Sequence, residues 1–243
     1  MRILTFSGRC SKEILRDPLN LGFGLGFPLV LILLLSAIQA NIPVSMFELE
    51  HLTPGIMVFG LSFMTLFSAL LVSKDRESAL FGRLCTTPMT ASDFLFGYTL
   101  PMIPISVAQS VICCAASALL GLKLTANVIW AVLAVIPVSL FFISVGMLCG
   151  SLFSSKQVGG ICGALFTNLS AWLSGIWFDL DLVGGAFKKV ADLLPFSHAV
   201  ELERALFSGN FSDISAHVWW VVGYTAAFYV ISVLIFVRKM RQQ

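Results

Sequence analysis

Six long apolar runs in this chain contain no Asp, Glu, Lys or Arg, and the charged residues fall between them. The runs cover residues 19–40, 53–72, 94–120, 128–153, 157–178 and 216–237. A helix of about 20 apolar residues crosses the roughly 30 Å of bilayer hydrocarbon. Each run reaches that length, and the third and fourth are long enough to tilt. In hydrocarbon every backbone N–H and C=O must be bonded within its own segment, so the expected fold is all-α. The expectation is a polytopic membrane protein with six transmembrane helices forming one domain over residues 1–243. Composition agrees: 58% of residues are hydrophobic, 12% are charged and the mean hydropathy is +0.93. Soluble domains carry about 25% charged residues.

The cations give the chain an orientation. Of fifteen Lys and Arg, eleven precede the first run, lie in 73–93 or 154–156, or follow residue 237. The other four (Lys123, Lys188, Lys189 and Arg204) lie on the opposite side. The positive-inside rule then places both termini in the cytoplasm. The first run is too long for the apolar region of a signal peptide and reads as a retained span. The net charge of +2 gives no reason to expect nucleic acid as a partner. Six cysteines (Cys10, Cys85, Cys113, Cys114, Cys149 and Cys162) avoid the outer loops and form no CxxC pair. Neither a disulfide framework nor a structural metal is expected.

Three segments between the runs are patterned. Residues 1–17 form an amphipathic helix whose cations Arg2, Arg9, Lys12 and Arg16 share one face with Glu13. Ile3, Leu4, Phe6, Cys10, Ile14 and Leu15 take the other half, as in a helix lying in the membrane interface. Asp17-Pro18 ends it. Residues 73–92 hold a second short helix, with Ser73 as its cap and Asp75 and Glu77 in its first turn. In 179–215, Phe187, Val190, Ala191 and Leu194 fall at i, i+3, i+4 and i+7, Pro195 breaks that helix, and Ser197 caps another that runs to Gly209. These two half-apolar helices suggest a hairpin that re-enters the outer leaflet. Within it Glu201 and Arg204 stand one turn apart and are expected to pair. Small residues at Gly159, Gly163, Thr167, Ala171 and Gly175 predict a packed face on the fifth span, within one chain or between two.

Several chemistries are missing. No GxxxxGK[ST] phosphate loop occurs, so ATP is not cradled here and no cofactor is expected in this chain. The spans carry no charged group at membrane depth, which argues against proton- or sodium-coupled transport. His198 and Glu201 share a helix face and, with Glu48, Glu50 or His51, could surround a metal, but an interfacial helix normally carries such groups facing water, and no metal site is expected. No nucleophile–base pair stands at membrane depth. Asn210-Phe211-Ser212 fits a glycosylation sequon and carries no functional weight.

Four patterns, in order and spacing, resemble the membrane subunit of type-2 ABC exporters. Leu15-Arg16-Asp17-Pro18 closes the amphipathic helix before a span containing Pro28. Leu52-Thr53-Pro54-Gly55-Ile56 opens the second span. The next loop has Arg76-Glu77, Leu84 and Thr86-Thr87-Pro88-Met89-Thr90, and the hairpin reads Leu194-Pro195-Phe196-Ser197-His198-Ala199, then Glu201 and Arg204. The resemblance covers the whole chain. It departs at Gly97-Tyr98, where the family often has lysine after the glycine, and at Glu203, where the residue before the hairpin arginine is usually apolar.

The resemblance implies a permease subunit, not an enzyme, in a bacterial inner or plasma membrane. It would pair with a second permease chain, identical or related, and bind a cytoplasmic ATPase that holds ATP and Mg. Residues 75–84 would be the coupling helix, with Asp75, Arg76, Glu77, Phe81, Arg83 and Leu84 at the docking surface. Residues 1–17 would brace the ATPase, spans one, two and five would line the path, and Pro195, Glu201 and Arg204 would form an external gate. With 21 Phe against 5 Trp and 3 Tyr, the path suits an amphipathic drug, peptide or lipid. A polysaccharide or lipid-linked glycan exporter is the alternative, and a membrane enzyme or assembly scaffold is the reading from another class.

Overall fold

A computed structural model describes residues 2–42, 47–78, 82, 90–212 and 214–240, and among these every regular element is helical. The elements are α1 (Arg2–Leu15), α2 (Pro18–Gln39), α3 (Leu49–Glu77), α4 (Ala91–Thr99), α5 (Met102–Leu119) and α6 (Asn127–Leu152). Then come α7 (Ser155–Val158), a π-helical stretch (Gly159–Phe166), α8 (Thr167–Leu173), α9 (Leu180–Val183), α10 (Gly185–Leu193), α11 (Pro195–Ser208) and α12 (Ile214–Met240). Among the described residues, five helices are long and apolar enough to cross a membrane: α2, α3, α4 with α5, α6 and α12.

Local chemistry sets several boundaries. Asp17 caps α2 by accepting from the Asn20 amide, and Pro18 takes the first helical position, where its missing N–H costs nothing. Thr90 and Asp93 bond each other's amides in a capping box that starts α4. Gly209, in the left-handed region at φ 78°, ends α11. Two expected caps are not used. Ser73 starts no helix, because α3 runs unbroken through it to Glu77. Ser197 does not cap α11: Pro195 is already its first residue, and the Ser197 hydroxyl donates to the Ala191 carbonyl of α10 at 2.8 Å.

The expected fifth span differs most. It is helical from Ser155 to Leu173 but changes ladder at Gly159 and again at Thr167. Three glycines weaken the α-helical register, and the Thr167 hydroxyl bonds the Cys162 carbonyl five residues back, at 3.0 Å. The helix stops before Gly175, which has φ +70°. The wider turn also shifts the phase of the face. Cys162, Thr167, Ser170 and Ala171 are buried, whereas Gly159 and Gly160 are exposed. The segment still runs antiparallel along α3. Ser155 bonds Glu77, Gly163 packs on Leu66, Trp177 meets Phe59 at 5.8 Å and Ile176 covers Gly55.

Helix α3 is the axis of the bundle. Within its apolar window 89% of residues are buried, against 22% in α2 and 17% in α12. Its closest neighbour is α6, and the approach is made by Gly146 and Gly150, one turn apart. A Cβ on Gly146 would lie 2.0 Å from the Ser68 hydroxyl and 2.3 Å from the Thr65 carbonyl oxygen; one on Gly150 would lie 2.6 Å from the Ala69 carbonyl. At that separation hydroxyls reach across: Thr65 donates to the Phe142 carbonyl at 2.9 Å and Ser68 to that of Ile143 at 3.3 Å. Elsewhere Thr53 donates to Ser117 of α5 at 2.7 Å, and Ser232 of α12 to the Ser144 carbonyl at 3.0 Å. Such bonds contribute about 0.6 kcal/mol each in bilayers, so van der Waals packing at the glycines is the larger effect.

Gly146→Ala forces the two helices apart, and a backbone oxygen cannot rotate out of the way. The expected loss is about 1–3 kcal/mol, read as a lower thermal midpoint in detergent with a thiol-reactive dye. Gly22→Ala, facing open space, serves as the matched control. Equal behaviour of the two variants refutes the close packing.

Candidate functional site: a charged junction at the end of α3

The last turn of α3 carries four consecutive charged residues, Lys74-Asp75-Arg76-Glu77, each tied to a different part of the chain. The Lys74 ammonium stands 3.7 Å from Asp17, between α1 and α2. Arg76 donates to the Phe153 carbonyl at the end of α6, at 2.6 Å. Glu77 accepts from the amide and hydroxyl of Ser155, at 2.9 and 2.7 Å, at the start of α7. These residues point in different directions because four successive positions circle a helix once.

Asp75 is the centre. It is 2% exposed and lies at a helix C-terminus, where the backbone dipole disfavours an anion. A buried carboxylate needs both charge and hydrogen bonds around it. Arg9 of α1 supplies the charge through both terminal nitrogens, with Nη2–Oδ1 at 2.5 Å and Nη1 on Oδ2. Tyr98 of α4, itself fully buried, donates to Oδ2 at 2.9 Å. Arg9 also reaches Glu13, at 2.6 Å. The fork geometry suits arginine, and lysine would lose one of the two bonds. Asp75 raises the Arg9 pKa further above its ordinary value. Tyr98 is the residue standing where the resembling family often has lysine; here the donor is neutral and the cation comes from α1.

The amphipathic helix therefore sits differently from the expectation. Phe6, Cys10 and Ile14 are buried against the bundle, with Phe6 edge-on to Phe94 at 5.4 Å and Tyr98 at 5.0 Å. Leu4 and Leu15 keep the exposed apolar positions. Arg9 turns inward, away from the solvent face it was assigned with Lys12 and Arg16; the side chain of Arg2 lies outside the described residues. Burial pushes the Cys10 thiol up to about 12, so it is unreactive while α1 is docked. Of the expected docking residues, Asp75, Arg76 and Glu77 form this junction, whereas Phe81, Arg83 and Leu84 lie outside the described residues, as does Cys85. No sequence signal marked Asp75 as buried; its place at the end of an apolar run was the available hint.

At the other end of α3 the hairpin is pinned by Arg204. It donates to Glu201 at 2.9 Å and to the Gly175 carbonyl at 3.1 Å, joining α11 to the turn after α8. Pro195 opens α11, and the next residue, Phe196, enters a cluster with Phe141, Phe142 and Phe166. His198 is not grouped with Glu201 for a metal. It meets His217 of α12 at 2.9 Å and stacks on Trp220, with ring centres 4.9 Å apart. Burial lowers its pKa, so the neutral ring is favoured. Gly163 packs on Leu66 and Gly175 against Leu180, while nothing lies near Gly159.

Asp75→Asn keeps the shape and removes the charge. Breaking a fully buried pair costs roughly 3–5 kcal/mol, and less here because the Arg9 side chain is 35% exposed. The expected outcome is release of α1 with the bundle still folded, seen as maleimide labelling of Cys10 at least ten times faster than in the unaltered chain. Unchanged labelling refutes the anchoring role.

Comparison with known proteins agrees with this architecture. A transport permease of Porphyra purpurea, ycf38, is 26% identical over 245 residues, covering 94% of this chain and 81% of that protein. The family description for the ABC-2 type transporter matches residues 1–208, from α1 through α11. The chain belongs to the ABC-2 type transporter family and is a multi-pass membrane transport permease.

Proposed function

We propose that this chain is the membrane subunit of an ATP-driven exporter, powered by a separate cytoplasmic ATPase. The observation that carries the reading is the junction at Lys74–Glu77. The segment 78–89 leaves directly from a point where α1, α2, α4, α6 and α7 are tied to α3. A push on that segment acts on the central helix and its neighbours together. This is what conversion of ATP-driven closure into helix motion requires. In this reading the docking surface runs from Arg76 to Leu84 together with the exposed cations of α1, Asp75 is buried behind it, and the ATPase subunit holds ATP and Mg.

The course of 155–177 along α3 supports a sixth crossing; in this reading six crossings and the distribution of Lys and Arg put both termini in the cytoplasm. The hairpin α10–α11 then lies outside and closes the exit, with Arg204 holding it to Gly175. The open faces beside Gly22 and Gly26 of α2 and beside Gly159 and Gly160 leave room for a second permease chain. The apolar, Phe-rich interior favours an amphipathic or hydrophobic cargo such as a drug, peptide or lipid.

Phe81→Ala with Arg83→Ala spares the junction and alters only the docking surface. Co-expressed with its ATPase, this variant is expected to remain in the membrane while transport falls at least five-fold per ATP hydrolysed. Full coupling would overturn the docking assignment.

Topology is tested separately by cysteine labelling in a background lacking native cysteines. Glu50→Cys and Gly209→Cys are expected to react from outside in intact cells, and Gln242→Cys only after permeabilisation. Labelling of Gln242→Cys in intact cells would leave five crossings and refute the sixth.

A further inference from the structure

Glu203 occupies a position where periodicity calls for an apolar residue. Phe196, Ala199, Val200, Glu203 and Leu206 form the buried face of α11, which packs on α3, α6 and α12. The Glu203 side chain is 0% exposed, and neither carboxyl oxygen has a hydrogen-bond partner. The nearby charges are committed elsewhere. Arg204 directs its terminal nitrogens to Glu201 and the Gly175 carbonyl, its buried Nε bonds nothing and makes no contact with the Glu203 carboxyl, and His217 faces His198. Among the described residues no charged group on α3, α6 or α12 faces the carboxyl, and the titratable group within electrostatic range is the Cys114 thiol of α5. One turn along α5 from Cys114, the Ser110 hydroxyl is buried without a partner, as is the Gln109 carbonyl oxygen beside it.

An ionised carboxylate in such a place would forfeit its hydration for nothing, a penalty of several kcal/mol, whereas the neutral acid avoids most of it. The carboxyl is fully buried on the packed face of α11, and among the described residues no cluster of His, Cys, Asp and Glu is placed to hold a metal. The ligand that the space admits is a proton. We propose that Glu203 is a proton-binding site, holding one proton while α11 is seated on α3, α6 and α12 and releasing it to water when the hairpin lifts. On lifting, the carboxyl O–H bond breaks and the proton passes to solvent, since a hydrated glutamate has a pKa near about 4.3. On reseating, a proton is taken back. Burial pushing the Glu203 pKa well above the usual carboxylate value agrees with this. The release step rests on the hairpin acting as a gate; the binding step does not. Opening of the hairpin is then favoured by alkaline pH on that side, so the cargo cycle carries proton exchange as a consequence.

The sign follows from linkage. A carboxyl whose folded pKa is raised stabilises the seated state fully below its unfolded pKa, and that contribution is lost as pH rises through the folded value. Glu203→Gln mimics the neutral acid and cannot titrate. Purified permease is compared with this variant by infrared difference spectroscopy at neutral pH. The expected result is a protonated-carboxyl C=O band present in the native chain, shifted in D2O and missing in the variant. Carboxylate bands in its place would show an ionised Glu203 and overturn the proposal. Thermal midpoints give the second measurement: the two proteins are expected to agree at about pH 5 and to diverge toward about pH 9, with the native chain falling. A constant gap across that range also refutes it. Should Glu203→Gln fail to fold, Glu203→Leu provides the same non-titrating reference. Neither readout needs the ATPase, so failure here leaves the transport reading standing.

Discussion

One buried carboxylate holds the working end of this molecule together. Asp75 has no water to stabilise it and an unfavourable helix dipole behind it, so its fold depends on Arg9 arriving from 66 residues away and on Tyr98 closing the remaining oxygen. That requirement fixes α1 against α4 and keeps α1 from lying freely on the membrane. The flanking residues Lys74, Arg76 and Glu77 extend the same junction to α2, α6 and α7. A helix end with four independent ties is a mechanical node, and the segment proposed to dock the ATPase emerges from it.

The opposite end of α3 is held by different physics. There the hairpin is seated mainly by aromatic and aliphatic packing, with Phe196 among three other rings and with Arg204, His198 and the Leu193 carbonyl as polar ties. Packing of this kind is non-directional and reversible by separation, whereas the Asp75 cluster loses a buried charge pair if it opens. The two ends of the bundle are thus unequal in their tolerance of motion. Between them, Gly146 and Gly150 bring α3 and α6 into direct backbone contact.

Five of the expected spans are present as long apolar helices, within a few residues at their ends, because each is written in its own composition. The helix of residues 2–15, the stop at Asp17-Pro18, the Glu201–Arg204 pair and the end of α11 at Gly209 were also legible, since each depends on neighbours within one or two turns. The small-residue stripe on the fifth span was read with an α-helical period; the π-helical turns changed its phase and moved Gly159 out of the buried face. Gly146 and Gly150, which set the contact with α3, stand on a span whose uniform hydrophobicity gives no preferred face and so carry no signal in the linear sequence.

What the sequence by itself determined is membership in the membrane: charge-free runs long enough to cross, with the cations gathered in the segments that flank them. Those properties are sums over local segments and need no partner in space. The tertiary structure alone decided which charges are buried. Asp75, Arg9 and Tyr98 are unremarkable in the linear chain and become one cluster only when three elements meet. Glu203 is an ionisable residue at an apolar position of α11, and only the packing of that face into the bundle decides that it is buried. The energy of an ionisable group depends on everything within a few ångströms of it, and contacts between distant segments are what the linear order leaves unwritten.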